Sequence, residues 1–354
     1  MIYSKCRIIS SEMLFRILKE KVKGTEAEAK LLRDIMVSER MRGRREVAAS
    51  LSSMFPVGGN EEQIYIYDAH HSDEITNSTL VRKIGDQAVA DNTVNEVFDS
   101  LDTTYKLYLD IYHRKSIDDN NMPLNGYVHW LSNFNNAFWD GSKMAYGDGD
   151  QSLFKSFTSA IDIGGHELTH GVTQYEAGLE YWCDSNHSPG AINESISDVY
   201  GSLVKQYRLG QSASQADWLI GQGIFEENPK WALRSMKEPG TASPYDNQPA
   251  NFSDYNPGPI DEMHDEGGVH KYSSFGNHAF YLTAIDIGGN AWEKAGLIWY
   301  NTLGSGLNTK SSYPDFAGHT IQVARNLFGP ESAELKAVEK AWNNVGVIIP
   351  PLII

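Results

Sequence analysis

Apolar residues recur every three to four positions near the start of the chain, as Met13, Leu14, Ile17, Leu18 and Val22, then Ala27, Leu31, Leu32 and Ile35. That spacing puts side chains on one face of a helix, so a small helical unit is predicted within residues 1 to about 50. Phe55-Pro56-Val57-Gly58-Gly59-Asn60 breaks the pattern with turn residues and reads as an exposed linker. Beyond it the reading changes to strand. Ile64-Tyr65-Ile66-Tyr67-Asp68-Ala69 and Tyr127-Val128-His129-Trp130 are predicted strands, with Asn135–Trp139 and Met144–Tyr146 as an edge strand and its neighbour. Between them Thr93–Tyr112 has the pattern of a long amphipathic helix. From Glu194 onward the helical period dominates, including Trp292–Thr302, Tyr313–Leu327 and Ser332–Val345. The chain thus reads as α+β, with a helical unit and linker over 1–55, a mixed lobe over 56–175 and a helical lobe over 176–354.

The candidate chemistry lies where the mixed lobe meets the helical one. His166-Glu167-Leu168-Thr169-His170 places two histidines four apart, on one helix face, where both imidazoles reach a single metal ion. Glu167 between them projects to the same open side and can take a proton from a water that the metal activates. Downstream, Glu194 and Asp198 are again four apart, while Ile192, Ile196, Val199 and Leu203 form a buried stripe. A catalytic zinc takes three protein ligands and leaves a fourth position open. His166, His170 and Glu194 supply that set, and Asp198 is then free to accept the second ring N–H of a ligand histidine.

Several segments resemble the thermolysin-like zinc metalloproteases: Gly165–Thr173 around the two histidines, Ala177-Gly178-Leu179, and Gly190–Asp198. Asn135–Trp139 with Gly147–Asp150, Leu233-Arg234-Ser235-Met236 and Gly267-Gly268-Val269-His270 also match, in the family's order. The similarity runs from about residue 60 to 346. The short N-terminal segment resembles the protealysin-type subgroup, whose precursors carry a compact propeptide and no secretion signal.

The resemblance implies a two-lobed fold with the zinc helix between the lobes, one catalytic Zn2+, and a zymogen in which the propeptide acts as an intramolecular inhibitor. It implies hydrolysis of peptide bonds on the amino side of bulky apolar residues, in peptide or protein substrates. Tyr181 and His270 are then the oxyanion donors, and Asp265 orients His270. Asn136 and Ala137 would pair with the extended substrate, and Arg234 would donate to the carbonyl after the scissile bond. Phe154, Phe157, Ile163 and Leu233 align with the pocket for that residue's side chain. Self-cleavage is expected within Leu51–Gly59. Two other readings are a peptide-binding homologue without turnover and a zinc aminopeptidase; every catalytic position is filled, and nothing marks a site for a free amine.

The chain departs from the pattern in four places. Asp184–His187 lengthen the loop after Tyr181, with His187 read as a surface residue. At the thermolysin-type double calcium site Asp162 and Asp217 match, but Lys205, Leu219 and Gln222 replace three other positions. An ammonium at Lys205 would pair with the carboxylates, so that double site is predicted absent, while the Asp148/Asp150 region stays open as another ion site. Ile8-Ile9 is followed by Ser10-Ser11-Glu12 where the subgroup carries Pro-Pro, which bears on how firmly the arm holds the cleft. The apolar tail Val347–Ile354 runs past the expected end, to pack on the body or to mediate association.

Charge and cysteine use narrow the class. The net charge is −16, which argues against a nucleic-acid partner. Residues 1–50 hold twelve Lys/Arg against seven Asp/Glu, and the rest holds 18 against 39, a basic arm facing an acidic body. No run of 18 apolar residues exists, so no membrane span is predicted. Met1–Glu20 does not read as a signal peptide, because Arg7, Glu12 and Arg16 interrupt it. Synthesis in the cytoplasm is the expectation, and export would need a non-standard route. Cys6 and Cys183 make no disulfide framework; Cys6 is read as an ordinary thiol, though a thiolate is also a good zinc ligand.

Overall fold

The computed structural model describes residues 7–22, 31–35, 61–180, 188–261 and 264–349. The predicted linker, Tyr181, both cysteines, His187 and the self-cleavage region lie outside the described residues. The mixed lobe is built on a five-stranded sheet. Its strands are β1 (Ile64–Asp68), β2 (Thr79–Lys83), β3 (Leu124–Val128), β4 (Ala137–Trp139) and β5 (Met144–Tyr146). Their order is β2-β1-β3-β5-β4. β1 and β3 run parallel, which requires a crossover, and the amphipathic helix α2 (Asn92–Tyr112) provides it. Its buried residues include Val94, Val97, Leu101, Tyr105, Tyr108 and Tyr112, a stripe at helical spacing. β4 and β5 form an antiparallel hairpin whose turn is fixed by Asp140 Oδ1, which accepts the amides of Ser142 and Lys143. β4 is therefore an edge strand, with one side open to another chain.

The predicted strand Tyr127–Trp130 starts earlier and stops earlier, as Leu124–Val128. His129 and Leu131 have φ of 52° and 56°, a left-handed backbone that no strand continues through. The His129 ring bridges Asp148 Oδ1 and Asp91 Oδ2, each at 2.9 Å, which draws the chain out of the sheet.

Two long helices carry the candidate ligands. α3 (Ile161–Tyr175) crosses α4 (Ser188–Leu209) closely because Gly165 and Gly201 face each other. A Cβ on Gly165 would lie 3.1 Å from Gly201 Cα, and one on Gly201 would lie 2.5 Å from the Asp162 carbonyl. α4 is buried along nearly its whole length, so its polar residues face protein rather than water. Five further helices, Asp265–Tyr272, Ser274–Ile287, Lys294–Leu303, Tyr313–Phe328 and Ala333–Val345, complete a helical lobe. Trp299, Phe316 and Trp342 pack within it, with Trp299 and Trp342 stacked at 6.3 Å. Past the last helix Val347 is buried and Ile349 packs on the body, so the start of the apolar tail lies on the protein. Among the described residues, no helix is long and apolar enough to cross a membrane.

The N-terminal segment folds onto this body. Ser10 caps α1 (Ser11–Ile17) by accepting the Met13 amide, and Leu14 and Ile17 are buried. Arg16 donates to the Tyr245 carbonyl at 3.0 Å, and Asn247 donates to Glu12. A helical turn at 31–35 buries Leu31, Asp34 and Ile35.

Candidate active site

Helix spacing brings the three ligand candidates together. His166 Nε2 and His170 Nε2 are 3.0 Å apart, and Glu194 oxygens stand 3.4 and 3.5 Å from them. All three residues are buried. A tetrahedral ion with bonds of about 2 Å separates its ligand atoms by roughly 3.3 Å, so these spacings suit zinc. Among the described residues none donates a hydrogen bond to the fully buried Glu194 oxygens, and the two Nε2 atoms face each other. A buried carboxylate beside two converging ring nitrogens is a donor set that a divalent cation would satisfy.

The other ring nitrogens are held from behind. His166 Nδ1 lies 2.8 Å from Asp198 Oδ1, and His170 Nδ1 lies 2.8 Å from Asn193 Oδ1 and 2.9 Å from Ser197 Oγ. Each such partner fixes Nδ1 as the protonated nitrogen and frees Nε2. Asp198 also receives Arg234 through Nε (2.8 Å) and Nη2 (2.7 Å), and Asn277 Nδ2 at 2.8 Å. Burial works against its charge, yet Arg234 and His166 hold the Asp198 carboxyl well below the usual carboxylate range. Glu167 Oε2 accepts the Trp139 amide at 2.9 Å, which ties the carboxylate to β4.

His270 approaches from the other side. Asp265, Glu266, Gly267 and Gly268 all have positive φ, a left-handed turn that tucks the Asp265 carboxylate under the following helical segment. Asp265 Oδ2 accepts the His270 amide (2.8 Å), and Oδ1 lies 2.6 Å from His270 Nδ1. His270 Nε2 donates to the Arg7 carbonyl at 2.8 Å. Both ring nitrogens face acceptors, so both carry protons. Burial opposes the charge, but Glu194 and Asp265 raise His270 to about 9.

Arg7–Ile9 runs along the open side of β4, bending at Ile8 and Ile9. The Ile8 amide donates to the Ala137 carbonyl (3.4 Å), and the Ile8 carbonyl accepts from Arg234 Nη1 (2.9 Å). The Asn136 side chain accepts the Ile9 amide and donates to the Ile9 carbonyl, both at 3.3 Å. The Ser-Ser-Glu departure leaves this strand in the cleft, with Ser10 serving as the helix cap.

Comparison with known proteins decides the family. Residues 48–174 match the thermolysin metallopeptidase catalytic domain, and 177–347 match the thermolysin metallopeptidase alpha-helical domain. An extracellular metalloprotease of Pectobacterium carotovorum subsp. carotovorum is 44% identical over 291 residues, 80% of each chain. This chain belongs to the thermolysin metallopeptidase family. Protease PrtS of Photorhabdus sp. (strain Az29) is 43% identical over 80% of this chain and 76% of its own. Among solved structures, the precursor of protealysin from Serratia proteamaculans superposes with a TM-score of 0.81 at 39% identity. That match covers 97% of this chain and 100% of the other.

A thermolysin-family chain with this site is a zinc endopeptidase, and its N-terminal segment lies against His270, Arg234 and Asn136. Of the expected thermolysin-type pocket residues, Phe154, Phe157, Ile163 and Leu233 are all fully buried. Phe154 packs on Phe157 (5.7 Å) and Phe225 (5.1 Å). Leu233 lines a small cavity with Arg234, Asp265, His270, Ser10 and Met13. Lys205 Nζ sits 2.8 Å from Asp162 and 2.9 Å from Asp217, and donates to the Leu219 carbonyl. Asp148 is engaged by His129, and Asp150 Oδ1 by the amides of Ser152 and Leu153. Asn193, Ser197, Asn277 and the Trp139 amide escaped sequence reasoning. Asn193 and Ser197 repeat the four-residue spacing of Glu194 and Asp198 one position earlier, a signal that could have found them.

Proposed function

We propose that this zinc endopeptidase is a precursor closed by its own N-terminal segment, and that it cuts before bulky apolar residues once opened. The observation that carries this is the register of the strand in the cleft. Ile8, a buried apolar residue, gives its carbonyl to Arg234, while the carbonyl before it accepts from His270. A substrate in the same register has its scissile carbonyl at His270 and its next side chain where Ile8 lies.

Zinc bound to His166, His170 and Glu194 would supply a Lewis acid that lowers the pKa of water and polarises the carbonyl. Glu167, oriented by the Trp139 amide, takes the proton of the attacking water and delivers it to the leaving nitrogen. His270, charged and steadied by Asp265, donates to the developing oxyanion, with Tyr181 as the second donor by resemblance. Asn136 and Ala137 align the substrate by adding it to the sheet edge. Arg234 holds the carbonyl after the scissile bond, and Phe154, Phe157, Ile163 and Leu233 favour a large apolar side chain there. Asp198 tethers Arg234 and His166 together. We also assign to Lys205 the place of the double calcium site, its ammonium neutralising Asp162 and Asp217.

The test uses an end-blocked, internally quenched peptide with one Leu, protein whose arm has been cut away at 51–59, a zinc chelator and the Glu167→Ala variant. Cleavage on the amino side of Leu, lost with the chelator and in the variant, is expected. Tight peptide binding without cleavage would instead support a binding homologue. Cleavage only of unblocked peptides would support an aminopeptidase.

A further inference from the structure

We propose that the Arg7–Ile8 peptide bond is itself a processing site, cut by this chain's own active site before the arm is removed elsewhere. The inference rests on the endopeptidase reading above. Five hydrogen bonds set the register: His270 to the Arg7 carbonyl, Ile8 to Ala137, Arg234 to the Ile8 carbonyl, and Asn136 twice to Ile9. The carbonyl at the oxyanion donor belongs to Arg7, and the nitrogen that follows it belongs to Ile8. Ile8, the residue on the leaving side of this bond, is apolar and buried. The arm therefore holds the cleft in the geometry of a substrate rather than across it.

In the step, a water oxygen bonds to the Arg7 carbonyl carbon and the Arg7 C–Ile8 N bond breaks. The water proton passes through the Glu167 carboxylate to the Ile8 nitrogen. The products are Met1–Arg7 with a new carboxylate and a chain that begins at Ile8.

What holds the leaving side decides the consequence. Contacts of Ile8 and Ile9 with Ala137, Asn136 and Arg234 all lie on the leaving side of the bond. So do Arg16 to the Tyr245 carbonyl, Asn247 to Glu12, and the Asn135 side chain to Asp34 at 3.0 Å. The arm from Ile8 onward thus stays anchored after the cut and keeps the substrate subsites filled. Cutting Arg7–Ile8 removes mass without opening the enzyme.

The experiment incubates full-length zinc-loaded protein and follows intact mass, N-terminal sequence and turnover of the end-blocked peptide in one time course. Glu167→Ala and Ile8→Pro chains run beside it. The expected first product begins at Ile8, forms at a rate independent of protein concentration, and precedes any peptide turnover. Both variants retain Met1. As a readout that needs no turnover, the Ile8 and Ile9 amides of Glu167→Ala should be protected from hydrogen exchange. An unprotected pair overturns the register. If protein opened at 51–59 cleaves the peptide while the full-length chain never yields an Ile8 start, the inference fails and the endopeptidase reading stands. If neither cuts anything, both fail.

Discussion

Arg234 and Asp198 meet through two hydrogen bonds, Nε to Oδ2 at 2.8 Å and Nη2 to Oδ1 at 2.7 Å, and Oδ1 also receives His166 Nδ1. One buried carboxylate thus sets both the tautomer of a candidate metal ligand and the position of the donor that holds the Ile8 carbonyl. Asp198→Asn keeps the shape but loses the charge and offers an amide N–H to one of two cationic or donor partners. Partners behind metal ligands typically contribute 10- to 100-fold in affinity. Zinc affinity should fall by about that factor, and KM should rise as Arg234 loosens. A competition titration with a zinc indicator, with peptide kinetics at saturating zinc, measures both. Unchanged zinc affinity would remove Asp198 from its role behind His166.

Lys205 supports the fold as a fixed cation. Asp162 is buried, and losing the ammonium leaves two carboxylates facing each other across α3 and the β6 (Leu219–Ile220) region. Removing one partner of a buried pair costs about 3–5 kcal/mol, and partial exposure of Asp217 puts Lys205→Met near the lower end. The wild-type melting temperature should be nearly the same in calcium and in a calcium chelator. Lys205→Glu, which restores a carboxylate cluster, should melt lower and recover with calcium. A wild-type chain strongly stabilised by calcium would contradict the assignment.

The parts of this site that lie on one helix were legible in the sequence, because a four-residue interval is itself a geometry. His166 with His170 and Glu194 with Asp198 follow from that interval alone. Asn193 and Ser197 share it, but amides and hydroxyls are common on helices and stand out only once the face opposite them is known. The end of β3 is not legible locally, because the strand-like residues continue through His129 while the break comes from Asp91 and Asp148, which are distant in sequence. The register of Ile8 against Ala137 and Arg234 joins residues more than 120 positions apart. Nothing local encodes which carbonyl meets His270.

The arm should loosen as pH rises. Burial pushes the Asp34 carboxyl up to about 6, offset in part by Arg33 and by hydrogen bonds from Asn135. A carboxyl raised in the docked state favours docking most when protonated. Its contribution is complete below its free value of about 4 and fades as pH climbs through 6. A shift from about 4 to about 6 corresponds to about a tenfold change in the docking equilibrium between pH 5 and pH 8. Exchange protection of the Ile8 and Ile9 amides in Glu167→Ala, corrected for intrinsic rates, should drop across that range. Asp34→Asn should flatten the dependence. An equal slope in both chains would assign the effect to another group.

Gly201 sets how near Glu194 can come to His166. Its absent Cβ would stand 2.5 Å from the Asp162 carbonyl and 3.2 Å from the His166 amide nitrogen and Cβ, and these are atoms of α3 that cannot swing aside. Gly201→Ala must therefore push α3 and α4 apart, carrying Glu194 away from the histidines. Overpacking of this kind costs about 1–3 kcal/mol, so the melting temperature should fall and zinc affinity with it. Gly318→Ala is the control, since a Cβ there meets nothing within 4 Å and the helix gains up to about 1 kcal/mol. Calorimetry and zinc titration on the two variants separate the effects. If Gly201→Ala kept wild-type zinc affinity, the helix crossing would have slack, and the ligand geometry would depend on the loops instead.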